Sequence, residues 1–200
     1  MFVSHLHGDH FGGLPLLILD GQFRRRDQPL HVAGPPGIGG RLTEAMEVLF
    51  PGSSTAPRRF EVRVVELPPG ATTDVVGVEV SAWEVPHPSG APALALRLET
   101  DGTRIAYTGD TAWTDAIGEA AEGAQLLIAE SYYLDKDIPH HLNHRTLAAH
   151  RDRLRCDRIL LTHMSEDMLD QLASAVFDQA HDGLTVQLLG VSPPPRRRSA

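Results

Sequence analysis

A chain of 200 residues, 42% hydrophobic and 22% charged, is the size of one domain and long enough to bury a core without staples. Its 26 acidic against 18 basic residues give a formal net charge of -8, which disfavours a general nucleic-acid binder. The single cysteine, Cys156, excludes a disulfide framework and a Cys-rich metal site, and the longest apolar run, Leu14–Leu19, is far too short to span a bilayer. No signal-peptide pattern opens the chain, so a cytoplasmic globular protein is expected.

Strand-like and helix-like stretches alternate along the chain. A strand-like Phe2–Ser4 leads into a polar segment, Ser4–Pro15, and helical periodicity follows over Gly12–Phe23. Next come a strand at Leu30–Gly34, a helix over Gly39–Phe50 and strands at Phe60–Leu67, Val75–Val85, Ala93–Glu99 and Arg104–Asp110. A helix over Thr111–Ala121 and a strand at Ala124–Glu130 precede a helix over His144–Leu154, which Asn143 or Thr146 can cap. A strand at Arg158–His163 and a helix over Ser165–Ala180, capped by Ser165, complete the pattern. Sheets flanked by helices make this an α/β chain. The domain is taken as residues 1–190. The segment PPPRRRSA cannot pack, so residues 191–200 read as a disordered tail.

The unusual count is 11 histidines, three of them in the first ten residues. Within Ser4–Pro15 the chain offers His5, His7, Asp9 and His10. Imidazole and carboxylate suit Zn, Fe or Mn, and the lack of thiolate argues against a purely structural zinc cluster. Four ligands on so short a loop fit two adjacent ions, ~3.5–4 Å apart, better than one. His87, Asp110 and His163 each follow a strand, where an α/β fold gathers its polar site.

The run H-x-H-x-D-H at His5–His10, the later His87, the GDT at Gly109–Thr111 and the strand-end His163 together resemble the metallo-β-lactamase superfamily. Within it, SHLHGDHFGGLP and LLTHMS are most similar to the ribonuclease Z-like branch. The resemblance implies an αββα sandwich with a dinuclear site, usually zinc, at one edge. It implies His5, His7 and His87 on one metal and Asp9, His10 and His163 on the other, with Asp110 bridging. Asp9 is also read as catalytic. It further implies a proton-transfer pair, Glu130 with His144; His140 and His141 are nearby competitors, and His31, His150 and His181 read as surface or packing residues. Family members carry about fifty residues before the first motif, so the N-terminal strands of the first sheet are expected to be missing here.

The expected reaction is hydrolysis by a metal-bound hydroxide, since a water between two divalent ions is acidified toward a pKa of ~7. The favoured substrate is a small phosphodiester or related ester. Transfer-RNA 3′ processing is the alternative; its enzymes carry a basic protruding arm for which residues 88–109 leave no room. A non-catalytic metal-binding fragment is the second alternative. A small-molecule substrate is therefore expected over nucleic acid, with no membrane partner and a possible homodimer.

Overall fold

The computed structural model describes residues 1–188; the tail expected over 191–200 lies outside them. The described residues form two sheets. Strands β1 (Leu30–Gly34) and β2 (Val62–Glu66) pair in parallel, and a bridge from Phe2 to Ala33 adds the start of the chain to β1. The larger sheet runs in strict chain order: β3 (Thr72–Val75), β4 (Val78–Val85), β5 (Ala93–Thr100), β6 (Thr103–Tyr107), β7 (Ala124–Glu130), β8 (Cys156–Thr162) and β9 (Asp178–Gln179). The strands from β3 to β6 pair antiparallel; those from β6 to β9 pair parallel. Parallel pairs need crossovers, and α4 (Asp115–Ala121) and α5 (His144–Ala149) supply two of them.

The layering follows from which side chains each strand turns to which face. In β5, four successive residues, Ala93, Leu94, Ala95 and Leu96, are buried, so both faces are covered. Leu94 and Leu96 pack with Ala33 and Leu67 at the small sheet; Ala93 and Ala95 pack with Ala120 of α4. Beyond the small sheet, Leu30 and Val32 pack with Leu14 and Ile18 of α2 (Gly13–Phe23) and with Ile38, Leu42 and Met46 of α3 (Ile38–Leu49). Helix, sheet, sheet, helix is the expected αββα order. Among the described residues no helix is long and apolar enough to cross a membrane.

Three expected elements differ. The stretch Val75–Val85 is two strands, because Val76 (φ 56°) and Gly77 (φ 81°) form a two-residue turn between the paired Val75 and Val78. A β-branched side chain is strained at positive φ, and a hairpin of this kind favours Asn-Gly. Val76 is 68% exposed and packs no core. Val76→Asn is therefore expected to stabilise the protein by roughly 1 kcal/mol, measured as a higher urea midpoint at unchanged slope. The expected helix over Ser165–Ala180 is only a turn, α6 (Glu166–Leu169), followed by a 3-10 turn at Leu172–Ser174. The chain must then extend so that β9 can join β8, where Ala180 N–H donates to the Leu161 carbonyl at 2.8 Å. The expected helix over His144–Leu154 likewise ends at Ala149. Asn143 and Ser165 do cap: their side chains accept from Thr146 N–H and Met168 N–H.

Candidate metal centre

The first motif divides at a helical turn. His5 and His7 lie on extended chain, and Gly8–Phe11 forms α1, whose Asp9 and His10 rise from its single turn. Gly109, just before Asp110, sits at φ 59°, a left-handed backbone that glycine adopts freely and other residues only with strain. A Cβ at Gly109 would lie 2.9 Å from the Leu94 carbonyl oxygen and 2.9 Å from Ser4 Cβ. Gly109→Ala is expected to cost roughly 2–4 kcal/mol, from the left-handed backbone and the overlap together, read by chemical denaturation. His163, which closes β8, is also at positive φ (52°), and such strain clusters at functional sites.

Asp110 is the hub of the site and is 2% exposed. Its Oδ2 lies 3.3 Å from His10 Nε2, 3.4 Å from His163 Nε2, 3.8 Å from His5 Nε2 and 4.0 Å from His87 Nε2. Donor atoms gather into His5, His7 and His87 on one side and Asp9, His10, Asp110 and His163 on the other, each set within 4.8 Å. Asp9 reaches His10 at 3.4 Å and His163 at 3.6 Å. The structure thus brings together all seven residues expected as ligands.

The surrounding protein fixes how these rings present themselves. The His140 carbonyl can only accept, so His87 Nδ1–H donates to it at 2.9 Å and Nε2 is left with a lone pair. That nitrogen sits 3.0 Å from His7 Nδ1; two imidazole nitrogens so close either share a proton or converge on one cation. Burial pushes His5 down to about 3, so it is neutral at ordinary pH. Burial also lowers His87. Burial opposes ionisation of Asp110, but the hydrogen bond from His10 and the charges of His163 and His10 outweigh it and hold the carboxyl below its usual range.

These residues fit a pair of divalent cations. His5 Nε2 and Asp110 Oδ1 are buried without any hydrogen-bond partner, and buried polar atoms are rarely left so unless something else engages them. The donors are nitrogen and oxygen only, a set that suits Zn, Mn or Fe.

One expectation is corrected. His144 does not meet Glu130. It opens α5, where the Asn143 cap turns it beneath the following segment; its Nε2 accepts from Val176 N–H at 3.0 Å and its ring lies against Phe177. The partner of Glu130 is His141, with Nδ1 2.9 Å from Oε2. Glu130 is fully buried, accepts the Thr111 N–H through Oε1, and lies 3.4 Å from His163 Nδ1. Its hydrogen bond raises the His141 pKa. His141 and His144 are three positions apart, and spacing from His163 cannot choose between them. Tyr132 and Tyr133 carry no signal in the sequence; with Ile138 and His141 they wall the roughly 500 Å³ cavity over Asp9, Asp110 and His163.

The beta-lactamase superfamily domain model matches residues 1–164. The chain belongs to that superfamily. It is 30% identical to a Ribonuclease Z of Pyrococcus abyssi over 186 positions, which cover 68% of this chain and 58% of the relative. It is 25% identical to a Ribonuclease Z of Shouchella clausii, covering 82% of this chain and 68% of the relative. Among solved structures it is similar to the short form of human tRNase Z, with TM-score 0.67 and 26% identity, covering 82% of this chain and 72% of that one. The chain therefore spans somewhat over half the length of its archaeal relative. The 186 aligned positions of that match take in 68% of 200 residues, about 136, so the relative carries about fifty positions within it that this chain lacks.

Proposed function

We propose that this superfamily member is a dinuclear metal-dependent hydrolase acting on a small phosphodiester. The observation that carries the reading is the single buried carboxylate oxygen of Asp110 within 4.0 Å of four imidazoles drawn from both donor clusters. His5, His7 and His87 would hold one divalent ion and Asp9, His10 and His163 the other, with Asp110 common to both. When bound, such a pair supplies an acidified water and neutralises charge building on phosphate oxygens. The chain's own residues do the rest. Ser4 Oγ, 3.1 Å from His5 Nδ1, and the His140 carbonyl orient two of the rings. Glu130, held by the Thr111 N–H, positions His141, whose Nε2 is left to protonate the leaving oxygen.

A small substrate is supported by the stretch between His87 and Asp110. Residues 88–109 are used up by a short loop, β5 and β6, joined through Asp101 and Gly102. No protruding arm arises there, and the net charge of -8 works against gripping RNA. The names of the curated relatives favour a second reading, transfer-RNA 3′ processing.

Metal analysis and hydrolysis of bis(p-nitrophenyl) phosphate test the proposal together. The expected result is two ions per chain and turnover of the diester that chelation abolishes. A folded chain that binds no metal would falsify it. Faster cleavage of precursor transfer RNA than of small diesters would move the substrate to the second reading.

A further inference from the structure

Lys136 is the only lysine of the chain, and it lies over Tyr133, a residue of the cavity wall. It is exposed, and its Nζ lies 4.6 Å from the centroid of the Tyr133 ring, which lines the cavity. The carboxylates on either side are engaged elsewhere. Asp135 pairs with Arg145, and Asp137 Oδ1 accepts from Asn143 Nδ2–H at 2.7 Å. Among the described residues Lys136 forms no ion pair of its own.

The loop that carries it is pinned. Asn143, 4% exposed, caps α5 through its Oδ1 and grips the Lys136–Asp137 segment through its amide. Tyr132 N–H donates to the Leu142 carbonyl at 3.0 Å, and His144 N–H to the Tyr133 carbonyl at 2.9 Å. An ammonium is thus steadied over the aromatic face of a cavity-wall residue, with no direct ion pair among the described residues. The carboxylates among the donor groups, Asp9, Asp110 and Glu130, pair with histidines, and none of them pairs with Lys136.

We propose that Lys136, steadied by Tyr133, recognises a second anionic group on the substrate, a terminal phosphate set apart from the scissile one. The inference rests on the phosphodiesterase reading above and names its substrate class: a diester that also bears a phosphate monoester. A compact ammonium charge on a short pinned loop selects for negative charge at that place, and acts through binding more than through the chemical step.

The test compares thymidine 5′-(p-nitrophenyl phosphate) with its 3′-phosphorylated form, in the presence of zinc. The two share the scissile bond and the leaving group and differ by one terminal phosphate. The 3′-phosphate is expected to lower KM about tenfold at low salt, with little change in kcat. Lys136→Gln removes that advantage, and Lys136→Arg retains most of it. Equal KM values in the wild type, or a preference that survives Lys136→Gln, overturn the inference. If neither compound is hydrolysed, the phosphodiesterase reading fails, and calorimetry decides the inference alone. Thymidine 3′,5′-bisphosphate should then bind about tenfold tighter than thymidine 5′-phosphate in a Lys136-dependent way; equal binding rejects it.

Discussion

Asp110→Ala is expected to lower kcat/KM on bis(p-nitrophenyl) phosphate by more than about 10³-fold and to cut bound metal from two ions per chain to one or none. The size follows from position. No other side chain among the described residues puts one oxygen within 4.0 Å of His5, His10, His87 and His163 at once. Removing it would take the ligand common to both donor sets and the one carboxylate near all four rings, since the other buried carboxylate, Glu130, reaches only His163 among them. Asp110→Asn separates the two effects, since it keeps shape and loses charge. It should retain more metal than alanine but little more activity. The fold should survive either change, because Asp110 lies beyond the end of β6, outside the apolar clusters, and circular dichroism checks this. A variant that still holds two ions and works within about tenfold of wild type would remove Asp110 from the centre of the site.

Asp110 also shows how far the sequence can be read. The positions expected as ligands are legible because each motif follows a recognisable strand, and strand ends converge at one edge of an α/β sandwich. Leu30–Gly34 and Ala124–Glu130 stand as their apolar runs suggest, being buried on both faces. The turn at Val76 and Gly77 is hidden by its own composition, since VVGVEV reads as uninterrupted strand unless a valine is allowed at positive φ. The helix after Ser165 reads too long because Met168 and Leu172 carry helical spacing, while pairing of Asp178 and Gln179 with β8 depends on contacts far away in the chain. Glu130 is marked by its strand; its partner is not, since the choice between His141 and His144 is made by the Asn143 cap. That cap fixes where α5 begins and turns His144 inward. A cap is visible in the sequence, but the direction in which the next side chain points is a product of packing.

The consequence of that choice is the second large effect. His141→Ala is expected to slow hydrolysis of diesters with an alkoxide leaving group by about 10²–10³-fold, the usual contribution of a positioned general acid. Bis(p-nitrophenyl) phosphate should lose far less, because p-nitrophenolate departs without a proton. This dependence on leaving group separates proton delivery from a merely structural role, which would slow both substrates alike. The geometry behind it is the 2.9 Å contact between Glu130 Oε2 and His141 Nδ1, which ties one ring nitrogen and leaves the other at the cavity. Glu130→Gln should reproduce the pattern in weaker form, since the amide still holds the ring but no longer favours its charged state. His144→Ala makes the contrast. His144 is 6% exposed, its Nε2 takes the Val176 N–H and its ring lies against Phe177, so its loss removes that hydrogen bond and should cost about 1 kcal/mol of stability. The ratio of rates on the two kinds of diester should not move. If His144→Ala changed that ratio and His141→Ala did not, the proton would travel through the helix-start residue after all.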